Sequence, residues 1–85
     1  MILKVFTVFD AGISSYMRPF FDVARGAALR SFADIVSDTS SAIGKHPQDF
    51  TLFELGDYDD STGKFEMYAT PVSLGLALEF LPKQS

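Results

Sequence analysis

One histidine, no cysteine and eleven carboxylates set what chemistry this 85-residue chain can carry. His46 stands in Gly44-Lys-His-Pro47, a loop leading into an apolar run. Ser40 or Ser41 could approach it as a nucleophile beside a base. The chain lacks both the nucleophile elbow and the glycine-rich oxyanion loop that such a pair works with. Gly12-Ile-Ser-Ser15 lacks the glycine pattern and the lysine of a phosphate-cradling loop. The remaining candidate is acidic. Asp57-x-Asp59-x-Ser61 opens like a calcium loop, but Thr62 stands where the loop's glycine is needed and Tyr68 where its bidentate glutamate is needed. A solvated acidic hairpin tip accounts for these residues better than a metal site. Without cysteine there are no disulfides and no thiolate metal ligands. The expectation is a protein that binds, with no catalytic residue, metal or cofactor.

Single-stranded nucleic acid is bound by basic residues along a groove and by aromatic rings on which bases stack. Lys4, Tyr16, Arg18 and Phe20 could supply both from one hairpin, with Arg25, Arg30 and Lys45 nearby. The plain alternative is that Phe20 is core and the arginines are solvated. The net charge of −4 argues against a dedicated nucleic-acid binder. That charge is uneven: residues 1–48 sum to +1 and residues 49–85 to −5. An anionic partner would therefore meet the N-terminal half.

The elements that would position these residues follow from periodicity and turn chemistry. Ile2 to Phe9 is rich in β-branched and aromatic residues, as a strand requires. Asp10-Ala-Gly12 is a turn, and Tyr16 to Phe21 should return as a second strand, at an edge because Pro19 has no N–H to donate. Asp22 is an N-cap type, opening a helix to about Ser37 with Ala28, Phe32, Ile35 and Val36 inward. Leu29 lies near that face, Arg25, Arg30 and Asp34 point outward, and Arg30 with Asp34 forms an i,i+4 pair. Gly26 weakens the helix unless it serves a close contact. The run Ser37 to Ser41 should stop the helix.

Phe50 to Tyr58 is the third strand, Asp59 to Gly63 a hairpin loop, and Lys64 to Thr70 the fourth strand, ended by Pro71. On the fourth strand Phe65, Met67 and Ala69 alternate with Lys64, Glu66 and Tyr68. Val72 to Leu81 fits a strand or a helix equally. The fold expected over residues 1–85 is one α+β domain in β-β-α-β-β order: a mostly antiparallel sheet of two hairpins, one main helix on a face, and an apolar C-terminal segment.

Nearly half the residues are hydrophobic, with nine Phe and three Tyr, enough for a small core. A homodimer is expected to use some of this surface, by strand addition at the second strand or by packing of Leu74, Leu78 and Phe80. No stretch reaches the ~18 apolar residues of a membrane span. The apolar N-terminus is broken by Lys4 and Thr7 and runs into Asp10, unlike a signal peptide, so a cytoplasmic location is expected.

The segment Lys45-His-Pro-Gln-Asp-Phe-Thr-Leu-Phe-Glu-Leu-Gly-Asp-Tyr-Asp-Asp60, followed by Ser-Thr-Gly63, resembles the small nonstructural proteins of gokushoviruses. These are microviruses with circular single-stranded DNA genomes. Arg30-Ser-Phe-Ala-Asp34, Met17-Arg-Pro-Phe20 and the Asp10 turn are similar as well, so the likeness covers roughly residues 2–71. The resemblance implies a nonstructural role in genome replication or packaging, in the bacterial host's cytoplasm, with members sometimes labelled DNA-binding. It carries over no site residue. Two functions follow as expectations: an accessory protein that contacts single-stranded DNA weakly, or a homodimeric module that binds a viral or host replication or assembly protein without touching DNA.

Overall fold

In the computed structural model, which describes residues 1–81, three long antiparallel strands carry the architecture. Strand β1 (Ile2–Asp10) lies at the centre beside β4 (Phe50–Asp59), and β5 (Lys64–Leu76) flanks β4. Two short strands, β2 (Ser15–Tyr16) and β3 (Phe20–Asp22), both pair with the other edge of β1. Helix α1 (Arg25–Ser37) connects this hairpin to the second one. The order is β-β-α-β-β with the second strand divided, so the expected α+β architecture of two hairpins and one main helix is the one the chain adopts.

The core lies between α1 and one face of the sheet. Phe6 and Val8 of β1 meet Phe50 and Leu52 of β4, and Ala28, Phe32 and Val36 of α1 close over them. Positions 28, 32 and 36 are four apart and share one stripe of the helix. Ile35, expected on this face, is 43% exposed, because a stripe this narrow leaves its position at the margin. Phe20 packs against the core with its ring 5.5 Å from that of Phe6. No helix among the described residues is long and apolar enough to cross a membrane.

Several boundaries differ from the sequence expectation. The second strand breaks at Met17–Pro19. Pro19 cannot join a ladder, and the Met17 carbonyl is taken by the Thr7 hydroxyl at 2.7 Å. Asp22 is not the N-cap: it ends β3, its carboxylate accepts from the Val23 N–H at 2.9 Å, and α1 starts after Ala24 without a side-chain cap. Arg30 and Asp34 are absent from the ion pairs among the described residues. A Cβ on Gly26 would meet nothing within 4 Å, so that glycine serves no close contact.

A short helix, α2 (Ala42–Lys45), follows the serine-rich stop. Ser41 caps it, its hydroxyl accepting from the Gly44 N–H at 2.9 Å.

Pro71 does not end β5. The strand continues to Leu76 because β5 is an edge and the proline falls in a bulge. Glu54 pairs with Val72 and Gly56 with Met67, so residues 68–71 loop out opposite Leu55 alone. The C-terminal segment is strand to Leu76, then a 3-10 turn over Ala77–Phe80. Leu74 and Phe80 pack against the monomer's own core, which withdraws them from the expected dimer contact, while Leu78 is exposed. Asp59–Gly63 is the expected hairpin loop, with Gly63 at φ 72° donating to the Asp59 carbonyl at 2.7 Å.

Candidate binding surface

The six residues expected to contact DNA divide between the two faces of the sheet. Lys4 alternates with Phe6 and Val8 and so lies on the helix side, where its ammonium meets Asp57 at 2.8 Å. Arg25 reaches from the first turn of α1 to Glu54, Nε to Oε1 at 2.7 Å. Arg18 lines a small hollow with Ile35 and Ile43 beside the helix. Arg30 is exposed on α1 and Lys45 on α2. Tyr16 stands on the opposite face, its ring 4.8 Å from Phe9 and 5.8 Å from Phe53. The expected stacking residue is thus separated by the sheet from Lys4 and Arg25, both of which are already paired with carboxylates.

Glu54 is the residue the sequence reasoning passed over. It faces the core, 1% exposed, one position along from the sheet's main irregularity. Oε1 accepts from Arg25 and Oε2 from the Tyr68 hydroxyl, so neither oxygen is left without a partner. The Arg25 guanidinium holds the Glu54 carboxyl below its ordinary value against the opposing effect of burial, with Tyr68 adding to the lowering. The same hydrogen bond to Glu54 pushes the Tyr68 phenol up. The cluster ties the start of α1 to β4 and β5 at the bulge. Its arrangement is that of a structural clamp.

The other polar candidates are likewise engaged locally. Asp59 accepts from the Ser61 N–H and hydroxyl at 2.9 and 2.6 Å. The Ser40 hydroxyl donates to Asp38 at 2.6 Å, and that of Ser41 donates to backbone carbonyls at 2.8 and 2.9 Å. His46 is exposed at the C-terminal end of α2. Among the described residues no group of three or more His, Cys, Asp or Glu is placed to hold a metal ion.

What remains is the sheet face turned away from α1. Strand alternation and register put Leu3, Val5, Thr7 and Phe9 of β1 on it, with Phe53, Leu55 and Tyr58 of β4. Phe65 and Met67 of β5 join at one edge, Phe21 and Tyr16 at the other. Opposite Val5 stands Gly56, which offers no side chain; a Cβ there would lie 2.5 Å from the Glu66 carbonyl oxygen. Over this gap Phe21 and Phe65 come from opposite edges to a ring separation of 6.1 Å, each also against Tyr58. Tyr16, Phe21, Phe65 and Met67 are each 44–55% exposed. The charged residues of the five strands, Lys4, Asp10, Asp22, Glu54, Asp57, Asp59, Lys64 and Glu66, all fall on the opposite, helix-side register.

This separation was open to sequence reasoning: Lys64 and Glu66 alternate with Phe65 and Met67, and Asp57 and Asp59 flank Tyr58. The missing element was length. A 13-residue helix spans about 20 Å, whereas the molecule is 45 Å long. Beyond the helix the charged register meets water, and no helix covers the apolar register, on which Val5 and Thr7 are buried while Tyr16, Phe21, Phe65 and Met67 stay half exposed.

An α+β fold with one face of its sheet bare of helix, rich in aromatic side chains and free of strand charges, defines the molecule structurally. The family model described as Phage ORF5 protein matches residues 3–80, and the chain belongs to that family; it is a phage protein. No curated protein and no solved structure matches it.

Proposed function

We propose that this phage protein is an accessory factor in replication or packaging of a single-stranded DNA genome of the microvirus type, and that it acts by protein contact through its open sheet face and not by catalysis. The observation that carries this reading is the absence of charge from the strand positions of that face, beside four half-exposed large apolar side chains. Interfaces between proteins are depleted of charge at their centres and enriched in aromatic residues and methionine. Phosphate binding needs cations, and here Lys4 and Arg25 are paired while Arg18, Arg30 and Lys45 lie off the face. The supports for the phage context are the family membership and the resemblance to gokushovirus nonstructural proteins over roughly residues 2–71.

Capture from phage-infected cells, comparing the natural chain with Phe65→Glu, tests the reading. A phage replication or assembly protein retained by the first and lost by the second supports it. Equal capture by both overturns the assignment of the face.

The ring series Phe9–Tyr16–Phe53 favours a second reading, in which bases of single-stranded DNA stack on the same face. Fluorescence anisotropy with labelled single strands separates the two. Binding of the folded chain at low salt that is lost in Tyr16→Ala would favour DNA, and no binding favours the protein partner.

A further inference from the structure

We infer that the partner on the open face is a second copy of this chain, joined face to face about a two-fold axis; this rests on the proposed use of that face for protein contact.

The edges of the sheet are poor places to associate. At one edge, β2 and β3 are two and three residues long with Pro19 between them. At the other, β5 carries Pro71 and two register shifts. Short strands, proline and bulges are the devices that keep edges from pairing with another chain. The helix side offers little more, because at its hairpin end it is lined by Asp57, Asp59, Lys64 and Glu66. Among the described residues the hollow beside α1 is also apolar, but it is small and bordered by Arg18, whereas the open face gathers Tyr16, Phe21, Phe65 and Met67, each about half exposed, with no strand charge among them.

Its area suits a dimer. Tyr16, Phe21, Phe65 and Met67, each about half exposed, expose roughly 400 Å² together if a large side chain offers about 200 Å². Met17 on the rim, 47% exposed, and the partly covered Phe9, Phe53, Leu55 and Tyr58 extend this. Two copies would then cover roughly 1,000–1,400 Å², the lower range of stable protein interfaces. One copy's patch, half of that at about 500–700 Å², lies at or above the upper end of what monomers leave uncovered.

Charge permits a second copy on this face. A chain of net charge −4 repels its own copy wherever acidic surfaces meet. On the open face no strand charge meets its counterpart, so this is the surface on which two copies approach with least repulsion. An isologous pairing uses the same patch on both copies, so Phe65 and Tyr16, at opposite ends of the face, both fall within the interface.

Sedimentation velocity on the full chain across the micromolar range tests the inference. The expected mass is twice the chain's 9.4 kDa. Phe65→Glu, which buries a carboxylate in each half of the pair, should weaken association by about 100-fold or more. Tyr16→Glu, at the far end of the face, should do the same and serves if the first variant fails to fold by circular dichroism. Leu78→Glu, similarly exposed but on the 3-10 turn, should leave the dimer intact. A natural chain that sediments as a monomer throughout, or a dimer unchanged in both folded face variants, overturns the inference. A monomer whose capture of another phage protein is still abolished by Phe65→Glu overturns the second copy and leaves the proposed function standing.

Discussion

Replacing Glu54 by glutamine tests whether the buried clamp is held by charge. The carboxylate is 1% exposed and accepts from Arg25 Nε at 2.7 Å and from the Tyr68 hydroxyl. Glutamine keeps the shape, and its amide can still accept from Arg25 while donating to a reoriented Tyr68 hydroxyl. What it loses is the charge assistance of two hydrogen bonds, which raises each from about 1 to about 1.5–3 kcal/mol. Part of that loss is offset because an amide is less costly to bury than a carboxylate. The net cost should be about 1–2 kcal/mol at neutral pH, or a fall of about 1 M or more in the urea midpoint for a chain of this size.

The pH dependence distinguishes charge from shape. In the folded chain Glu54 is held below its ordinary value of 4.5. Its contribution is therefore fully present above that value and is lost as pH falls through the lower, folded value. The glutamine variant has no such titration. The two stability curves should be separated at neutral pH and converge below about pH 4.5. Curves that stay parallel into the acid range would refute the charge argument, as would a variant no less stable than the natural chain at neutral pH.

Arg25→Met should give the inverse signature: it leaves a buried carboxylate without its cation, so urea stability of this variant should rise as pH is lowered from neutral. Gly44→Ala should cost about 3 kcal/mol or more in urea unfolding, because the new Cβ would stand 2.0 Å from the Asp38 carbonyl oxygen. Gly26→Ala should stabilise by about 0.5 kcal/mol, seen as a higher thermal midpoint, since the position is helical and a Cβ there meets nothing within 4 Å.

Where sequence and structure agree, the cause is local. The β-branched and aromatic run Ile2 to Phe9 and the loop Asp59 to Gly63 specify β1 and the β4–β5 hairpin by side-chain type and by one left-handed glycine. Where they differ, a distant contact decides. Asp22 has the chemistry of an N-cap, yet β1 holds it in a strand, paired with Lys4, and the helix starts later. Pro71 would stop a central strand, but the β5 edge absorbs it in a bulge. Arg25, placed outward by helical spacing, turns to a carboxylate 29 positions away. The charge-free face was written in the alternation of Tyr58, Phe65 and Met67 with their charged neighbours. Which register the helix would cover depended on the packing of Phe6, Val8 and Leu52, and no local pattern states that.

The most direct test of the open face as the binding surface is oxidative footprinting of the chain in its assembled state against the same chain diluted to monomer. Met67, Phe65 and Tyr16 should be protected on assembly, with Ile35 on α1 and Leu78 on the 3-10 turn labelled equally in both states. Protection of Ile35 with unchanged labelling of Met67 and Phe65 would contradict this, and would move the binding surface to the helix.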